Sequence, residues 1–325
     1  HIPEVLYSWR IHPQSTASGV ISVKPYTVNS QLHVLKQQFD FLGKTNDYEL
    51  IENKLHPNSG MWSIRRKTDF SFKVAITFIY NGRNEKTLFE QLQKIESINT
   101  KLICDIFIHS TQKEILNLEK FLSFYKKGNI FLGNYFENQQ NFTNYDFAFF
   151  ISDEVSFDNT MWLSESLGML DFFDDSVLVS GKIKTKDMYL YTDSYFDKNS
   201  NIINPGFANP LTSGGYYASI IVQKTADVVS PDFWAVRTSF LTQIYKEEIP
   251  KVKLIELGTL LSIFAKNKDK RVIYSPYIEF NFESISGDNQ YSSLMSNTTN
   301  YKVTNFKNQH FVGPAKFEIE SLISK

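Results

Sequence analysis

The sequence predicts an α/β protein built on a mixed, mostly parallel sheet with helices on both faces. From residue 72, short apolar runs alternate with amphipathic stretches of about ten or more residues, which is the order of strands and crossover helices. The runs at residues 74–80 and 147–151 are apolar almost throughout, which is typical of strands buried on both faces. Because a helix between two strands returns the chain to the same end of the sheet, we expect parallel pairing.

Helical periodicity predicts the layers that cover this sheet. Leu88, Leu92 and Ile95 recur at spacings of three and four after a turn at residues 81–84. Further helices are predicted at residues 113–127, 162–173 and 255–266, and further strands at 102–108, 130–132, 177–180 and 271–274. After residue 182 the pattern breaks into polar, aromatic and glycine- or proline-rich segments, which we expect to be irregular.

The part of the chain before residue 72 is predicted to be a helix followed by a connector. The helix begins near Asn29 or Ser30, which can cap it, and Gly43 can end it. Two short strands are predicted in the connector, at residues 48–51 and 61–64. The predicted division is residues 1–26 as a separate opening segment, 27–71 as helix and connector, 72–290 as the α/β domain and 291–325 as a loosely structured tail.

Composition excludes several classes of protein. The 325 residues are 42% hydrophobic, so the chain can bury a core and is not disordered. A net charge of −1 argues against a general DNA binder, and we expect no nucleic-acid partner. The single cysteine, Cys104, excludes an intramolecular disulfide framework and a cysteine-based zinc site. No apolar run reaches the roughly 18 residues that a spanning helix needs.

The carboxyl ends of the predicted strands are where a ligand is expected in an open α/β sheet. The most informative end is at residues 146–155, where an apolar strand delivers Asp153 and Glu154 into a loop shortly before a helix. Oxygen ligands suit Mg²⁺ or Mn²⁺, so adjacent acids here can hold a divalent cation that carries a diphosphate. The alternative is that both residues are ordinary solvated loop acids.

The opening of the chain resembles the end of a known catalytic domain. Residues 1–12, HIPEVLYSWRIH, are similar to the closing motif of family 2 glycosyltransferases, whose Trp-Arg-x-His element closes over the sugar-nucleotide diphosphate. Residues 24–26 resemble the linker to a second such domain. The resemblance implies that residues 1–26 are the tail of an upstream glycosyltransferase domain. We therefore expect a chain that begins at His1 to be a fragment of a longer protein.

The stretch from about residue 20 to 290 resembles a second domain of the same family, with its motifs in order. Residues 79–84 are similar to the first strand and its nucleotide-holding turn, 102–112 to the second strand, 151–155 to the Asp-x-Asp loop, and 255–286 to the general-base helix and the strand beyond it. The resemblance implies a GT-A fold, which is Rossmann-like, together with a nucleotide-sugar donor and a glycan acceptor. It also implies Mg²⁺ or Mn²⁺ as the cofactor of an active enzyme.

The same resemblance assigns candidate site residues by their positions in this sequence. It implies nucleotide contacts at Gly82, Asn84 and His109, metal ligands at Asp153 and Glu154, a general base at Glu256, and an acceptor side at Tyr191, Tyr216 and Asp232.

Several of these positions depart from the pattern of the family. The Asp-x-Asp motif is Ser152-Asp153-Glu154, the Glu-Asp pair with the general base is Glu256-Leu257, and His109 stands where an aspartate is usual. Inverting transfer needs a carboxylate within hydrogen-bond reach of the attacking hydroxyl, and Leu257 cannot accept a proton. These departures predict a domain that has kept its scaffold and lost its reaction.

Three functions are compatible with these residues and with the resemblance. The preferred one is a catalytically degenerate glycosyltransferase-like domain of a bacterial cell-surface polysaccharide transferase, which serves acceptor binding or assembly. The alternatives are an active inverting glycosyltransferase with a rearranged site, and a lectin-like module whose aromatic loops stack on sugars. The expected partners are a nucleotide sugar, a glycan acceptor, the upstream catalytic domain and a second copy of the chain. The expected location is cytoplasmic, with the inner face of the membrane as an option.

Overall fold

The computed structural model describes residues 26–55, 57, 59–67, 71–80, 85–98, 102–110, 123–133, 142–196, 202–215, 218–246, 254–282, 303–304 and 318–319. Nearly all of the predicted opening segment and most of the predicted helix at 113–127 lie outside the described residues, as do Gly82, Asn84 and Tyr216.

Within the described residues, ten strands form one sheet, and its first half is parallel. The parallel half consists of β3 (Lys73–Tyr80), β4 (Ile103–Ser110), β5 (Ile130–Gly133) and β6 (Phe147–Ser152). Strand β3 lies between β4 and β6 and pairs in parallel with both, and β4 also pairs in parallel with the edge strand β5. Nearly every side chain of β3 and β6 is buried, as the apolar runs predicted.

The second half of the sheet begins with one reversed strand. Strand β13 (Phe233–Arg237) is antiparallel to β6 on one side and to β8 (Ser176–Lys184) on the other. Strand β14 (Arg271–Phe282) then runs parallel to β8. Shorter antiparallel strands complete the sheet: β7 (Val155–Ser156) and β12 (Lys224–Ala226) on β14, and β9 (Tyr189–Tyr191) on β8. The long strands other than β13 share one direction, so the predicted mixed, mostly parallel sheet is confirmed.

Helices cover both faces of the sheet, as predicted. On one face, α2 (Glu85–Glu96) and α3 (Met161–Phe172) bury Leu92 and Leu167 in one apolar cluster. On the other face, α4 (Thr238–Lys246) and α5 (Leu254–Asn267) contribute to a second cluster. None of the helices in the described ranges is long and apolar enough to cross a membrane.

Two segments differ in extent from their sequence prediction. Helix α1 (Tyr26–Phe41) begins earlier than the predicted cap at Asn29 or Ser30. Strand β8 continues beyond the predicted residues 177–180, because Gly181 lets the chain pass β14 closely. A Cβ atom at Gly181 would lie 2.2 Å from the Ile278 carbonyl oxygen, so no larger side chain fits there without movement.

Short strand pairs also occur where irregular structure was expected. Strands β10 (Tyr195–Phe196) and β11 (Ile202–Ile203) pair within the glycine- and proline-rich region. Strands β15 (Val303–Thr304) and β16 (Glu318–Ile319) pair within the predicted tail. Two-residue pairs of this kind leave almost no signal in a periodicity analysis, which needs about four or more residues.

The predicted connector contains a hairpin that is docked on the α/β domain. Strands β1 (Tyr48–Glu52) and β2 (Trp62–Arg66) pair in antiparallel fashion, close to the predicted short strands. The Tyr48 hydroxyl donates to the Asp171 carboxylate at the end of α3 at 2.5 Å, and the Arg66 guanidinium pairs with the same carboxylate. The hairpin is therefore tied to α3 by one shared acceptor.

The side-chain amides of Gln223 and Asn53 make further contacts between the hairpin and the α/β domain. Gln223 accepts a hydrogen bond from the Ile64 backbone amide at 2.7 Å and donates one to the Ile64 carbonyl at 3.1 Å. Asn53 donates to the Ile221 carbonyl at 2.6 Å. The amide of Gln223 thus pairs with β2 as a neighbouring strand would, which satisfies backbone groups that the hairpin leaves open.

Replacing Asp171 with alanine is expected to lower the free energy of unfolding by about 2 kcal/mol, because it leaves the largely buried Arg66 guanidinium without its carboxylate. Urea denaturation followed by circular dichroism measures the change. The matched control is Asp174→Ala, an exposed acid just beyond α3, which should cost less than about 0.5 kcal/mol. Equal losses in the two variants would contradict the role given to Asp171.

Candidate functional site

The carboxyl ends of β4, β3 and β6 lie side by side and form the edge that the sequence predicted as a site. His109 of β4 pairs with Ile79 of β3, and Ile79 pairs with Ser152 of β6. Tyr80 and Asp153 are the next residues on β3 and after β6. The structure therefore brings His109 and Asp153 to the same edge of the sheet, one strand apart.

Hydrogen bonds made by backbone groups hold the loop that carries the two candidate metal ligands. The Asp153 amide donates to the Ile79 carbonyl at 3.0 Å, and the Glu154 amide donates to the Ser152 hydroxyl at 3.2 Å. Beyond them, Gln91 of α2 donates to the Val155 carbonyl at 2.8 Å. Asp153 is buried and Glu154 is half-buried. Asp153 is therefore not a freely solvated loop acid.

A third carboxyl group, that of Asp232, lies beside this loop. Asp232 directly precedes β13, and its carbonyl accepts a hydrogen bond from the Ser152 amide at 2.8 Å. Its side chain is 1% exposed, and within the described residues neither carboxylate oxygen has a hydrogen-bond partner of good geometry. An unpaired buried carboxyl group is costly, so this position is an exception that calls for an explanation.

The surroundings of Asp232 favour its neutral form. Burial raises the pKa of this carboxyl to about 7, and the charges of Glu154 and Asp153 act in the same direction, while the nearby Ser152 hydroxyl opposes them. Three acids are thus gathered at the junction of β6 and β13.

Two further groups on this edge have shifted proton affinities. Burial lowers the pKa of His109, so its imidazole is neutral at physiological pH and has one ring nitrogen that can donate and one that can accept. Burial raises the pKa of Tyr80, and the charges of Glu85 and Asp153 add to this, which places Tyr80 within electrostatic reach of the acidic loop. The edge thus offers neutral hydrogen-bonding groups at β3 and β4, and acids at β6 and β13.

The candidate general base lies at the start of α5. Glu256 is half-buried in the first turn, and Leu257 after it is fully buried in the apolar cluster beneath the sheet. Gly258 follows, and a Cβ atom there would lie 2.9 Å from the Trp234 ring of β13. Close packing of α5 on Trp234 therefore directs the Leu257 side chain into the core, where a carboxylate could not replace it without a large desolvation cost.

Of the acceptor-side residues predicted from the sequence, the structure describes Tyr191 and Asp232. Tyr191 is 1% exposed, and its hydroxyl donates to the Val228 carbonyl at 2.8 Å. Its ring therefore packs in the core and offers no face to a sugar in this structure. Asp232 lies at the site edge as described above, and Tyr216 is outside the described residues.

Sequence reasoning missed a partly buried charged cluster on β8 and β14, in which only Lys182 is almost fully enclosed. The Lys182 ammonium contacts one Glu279 oxygen at 2.7 Å, and the Lys184 ammonium contacts the other at 2.5 Å. These lysines lower the pKa of Glu279 against the effect of its burial. Alternate lysines after an apolar run were the available signal, but the sequence does not show which carboxylate on a strand so distant in sequence would face them.

A cleft of about 330 Å³ opens near the amino ends of β8 and β14, at the other end of these strands from the acidic loop. Lys266 and Asp227 form an ion pair at 2.6 Å on its wall, and Arg271 pairs with Asp175 at 3.1 Å. Because these charges neutralise one another, the cleft gives no clear preference for an anion or a cation.

The family resemblance implies a divalent cation as cofactor, and the acids of the loop after β6 are part of the ligand set that such a cation needs. Carboxylate oxygens suit Mg²⁺ and Mn²⁺, and protein sites often supply only one or two carboxylates while the phosphates of a substrate supply further ligands. No three acid, histidine or cysteine side chains in the described ranges are placed to hold a metal together. Asp153 and Glu154 therefore fit as a two-carboxylate site that a diphosphate would complete.

Asp232→Asn is expected to stabilise the protein at pH 8 and to have little effect at pH 4. The folded pKa of about 7 lies above the ordinary 3.8, so the cost of ionising this group is absent below about pH 4, grows up to pH 7, and is fully present above it. The gain at pH 8 should be as much as about 4 kcal/mol. Urea unfolding between pH 4 and 8, in EDTA, measures it.

The control for this pH profile is Asp187→Asn, which removes an exposed acid. Its unfolding curve should follow that of the unmodified protein at each pH. A constant displacement of the Asp232→Asn curve at all pH values would contradict the assignment.

The fold of this chain is similar to those of several solved structures. The sequence matches no described protein family and aligns with no curated protein. The chain is similar to GalNAc-T7 in a complex with UDP, GalNAc and Mn²⁺, at 7% identity and a TM-score of 0.49, over 71% of this chain and 47% of that one. It thus spans about half the length of that protein.

Two further likenesses are of the same kind. The mannosyltransferase PcManGT from Pyrobaculum calidifontis, in a complex with GDP-Man and Mn²⁺, has 7% identity and a TM-score of 0.46, over 83% of this chain and 69% of that one. A mycobacterial protein has 10% identity and a TM-score of 0.46, over 73% of this chain and 78% of that one. With TM-scores below 0.5, these likenesses assign no activity to this chain.

Proposed function

We propose that this chain is a GT-A-like glycosyltransferase domain that binds a nucleotide sugar and does not transfer it by the usual inverting mechanism. The observation that carries the proposal is the contrast between two positions on the same scaffold. The acids of the loop after β6 are at the ligand-binding edge of the sheet, whereas Leu257 is buried in the core at the position implied for the base.

The loss of transfer follows from the chemistry of the missing group. The attacking hydroxyl of an acceptor must give up a proton, and inverting transfer places a carboxylate within hydrogen-bond distance to take it. Leu257 has no atom that can accept a proton, and it is buried in the apolar cluster beneath the sheet.

Nucleotide binding needs a cation and hydrogen-bonding groups, but unlike sugar transfer it needs no general base. Asp153 and Glu154 would hold Mg²⁺ or Mn²⁺, which would neutralise the charge of a diphosphate. A neutral His109 can donate to or accept from a base or ribose, and Gly82 and Asn84, which follow β3 in sequence, are proposed to complete the nucleotide contacts. The described groups among these, His109, Asp153 and Glu154, belong to the β3–β4–β6 side of the edge.

One observation favours a second candidate, an active glycosyltransferase with a rearranged site. Glu256 is half-buried at the first turn of α5, next to the position of the lost base. A carboxylate at this place can take over proton transfer if it turns toward the acceptor. The lectin-like alternative is weaker, because Tyr191 is enclosed and has its hydroxyl committed to the backbone.

We place this binding domain within a larger bacterial cell-surface polysaccharide transferase, where it serves acceptor binding or assembly. Helix α1 supports a contact with the upstream catalytic domain: Phe41 is 85% exposed, and Val34 on the same helix is also exposed. These apolar side chains lie on the segment that follows residues 1–26. The proposal includes the cytoplasmic side of the membrane as its location, since the resembling family uses nucleotide sugars made there.

Calorimetric titration with UDP and with GDP in the presence of Mn²⁺ is expected to show saturable binding of at least one nucleotide. Asp153→Ala, or removal of the metal with EDTA, should weaken it by at least about tenfold, since the cation loses a charged ligand. Asp158→Ala, an exposed acid beyond the same loop, is the matched control and should change little. Absence of any nucleotide binding by the unmodified protein would refute the proposal.

Glu256→Gln is the variant that separates the two candidate functions. With nucleotide sugar and Mn²⁺, we expect no sugar transfer above background to water or to glycan acceptors, in either the unmodified protein or the variant. Release of nucleoside diphosphate, measured by a coupled assay, is the readout. Turnover by the unmodified protein that falls by about a hundredfold or more in Glu256→Gln would establish the active-enzyme alternative instead.

A further inference from the structure

A cavity of about 260 Å³ lies between the docked hairpin and the first turns of α3. Arg65 and Arg66 of β2 line one side of it, and Met161, Ser164 and Glu165 of α3 line the other. Met161 and Ser164 are exposed, so the cavity opens to solvent at the first turn of the helix. Since a water molecule takes about 30 Å³ in the liquid, the space can hold a small ligand.

The guanidinium of Arg65 makes no hydrogen bond or ion pair with the described residues. Glu49 is its direct partner across the hairpin and lies on the same side of it, but the two side chains form no ion pair. The adjacent Arg66 differs, because it pairs with Asp171 and donates to the Tyr48 hydroxyl at 3.2 Å. Arg65 is half-buried at the cavity, so its N–H donors are available to a ligand there.

The second polar group at the cavity is the Glu165 carboxyl, which is 9% exposed. One of its oxygens, Oε1, accepts hydrogen bonds from the Ser275 hydroxyl at 2.5 Å and from the Gln223 amide at 2.6 Å. The other oxygen, Oε2, makes no hydrogen bond with the described residues and can accept one from a ligand. Burial raises the pKa of Glu165, while these hydrogen bonds and the charge of Arg65 oppose the shift. Arg65 is therefore near Glu165, although the two do not form an ion pair.

The charges around the cavity favour an anionic ligand that also carries a hydroxyl group. Among the described side chains that line it, two are cationic and one is acidic. The positive end of the α3 dipole, at Met161 and Ser164, acts in the same direction as the arginines. A ligand with an anionic group alone would leave Oε2 of Glu165 unused, whereas a ligand that also has a hydroxyl would engage both sides of the cavity.

We propose that this cavity binds a sugar that carries a carboxylate group, such as a uronic acid at the end of a glycan. The guanidinium of Arg65 donates two parallel hydrogen bonds to the carboxylate of the ligand. A ring hydroxyl donates to Oε2 of Glu165, and the flexible side chain of Met161 packs on the apolar C–H face of the ring. Binding here does not depend on the proposed nucleotide site, because none of the described lining residues belongs to the carboxyl edge of the sheet.

The experiment measures dissociation constants by ligand-observed NMR titration at constant ionic strength, in EDTA so that no cation occupies the acidic loop. The probe is methyl β-D-glucuronide, and its neutral match is methyl β-D-glucoside, which has a CH₂OH group in place of the carboxylate. Acetate supplies a carboxylate without hydroxyl groups. We expect the glucuronide to bind at least about tenfold more tightly than either the glucoside or acetate.

Variants of the hairpin test the role of the guanidinium. Arg65→Gln is expected to weaken glucuronide binding by at least about tenfold, since it removes the charged partner of the carboxylate. Arg65→Lys should weaken it by about threefold or more, because an ammonium group cannot make two parallel hydrogen bonds. Lys54→Gln removes an exposed cation from the same hairpin and should change the dissociation constant by less than about twofold. Thermal denaturation checks that each variant is folded.

Four outcomes would overturn the proposal. Equal affinity for the glucuronide and the glucoside would exclude recognition of a carboxylate, and acetate binding as tight as that of the glucuronide would exclude recognition of a sugar. Glucuronide binding that Arg65→Gln does not weaken would exclude this cavity as the site, and absence of binding would exclude the ligand class. Because the titrations contain no nucleotide, each of these results is independent of whether the proposed function holds.

Discussion

The structure depends on one reversed strand, β13, which joins the two halves of the sheet. Its indole, Trp234, stacks on Phe150 of β6 with ring centroids 3.8 Å apart, and it also contacts α5 at Gly258. The same strand begins next to Asp232, beside the acidic loop. A single short strand thus pairs with both halves of the sheet, packs closely against α5 and places the carboxyl group of Asp232 beside the acidic loop.

The groups proposed for nucleotide binding and the group proposed for proton transfer belong to different parts of the fold. The groups proposed to hold a nucleotide belong to the loops after β3, β4 and β6, and their geometry comes from parallel pairing. The group proposed to move a proton belongs to α5, whose packing comes from Trp234. Leu257 adds an apolar side chain to the buried cluster on this side of the sheet.

The sequence predicted the features that depend on local pattern. The apolar run of β6 followed by Asp153 and Glu154 was enough to place two acids at the carboxyl edge, since the ends of buried strands can be located from hydropathy. It could not show that Asp232 is buried beside this loop, because that depends on the pairing of β6 with a strand more than 70 residues away. The sequence also could not predict that Tyr191 is buried, because an aromatic residue in an irregular region can be exposed or buried with the same neighbours in sequence.

The hydrogen bonds between Gln223 and Ile64 have a consequence for how this protein can be divided. Residues widely separated in sequence share a two-way contact that replaces strand pairing, so the hairpin belongs physically to the α/β unit. A recombination joint at residue 72 would separate these partners and uncover backbone groups on both pieces. A joint ahead of α1 would keep them together, which makes the segment from residue 26 onward the unit that evolution, or a protein engineer, can move intact.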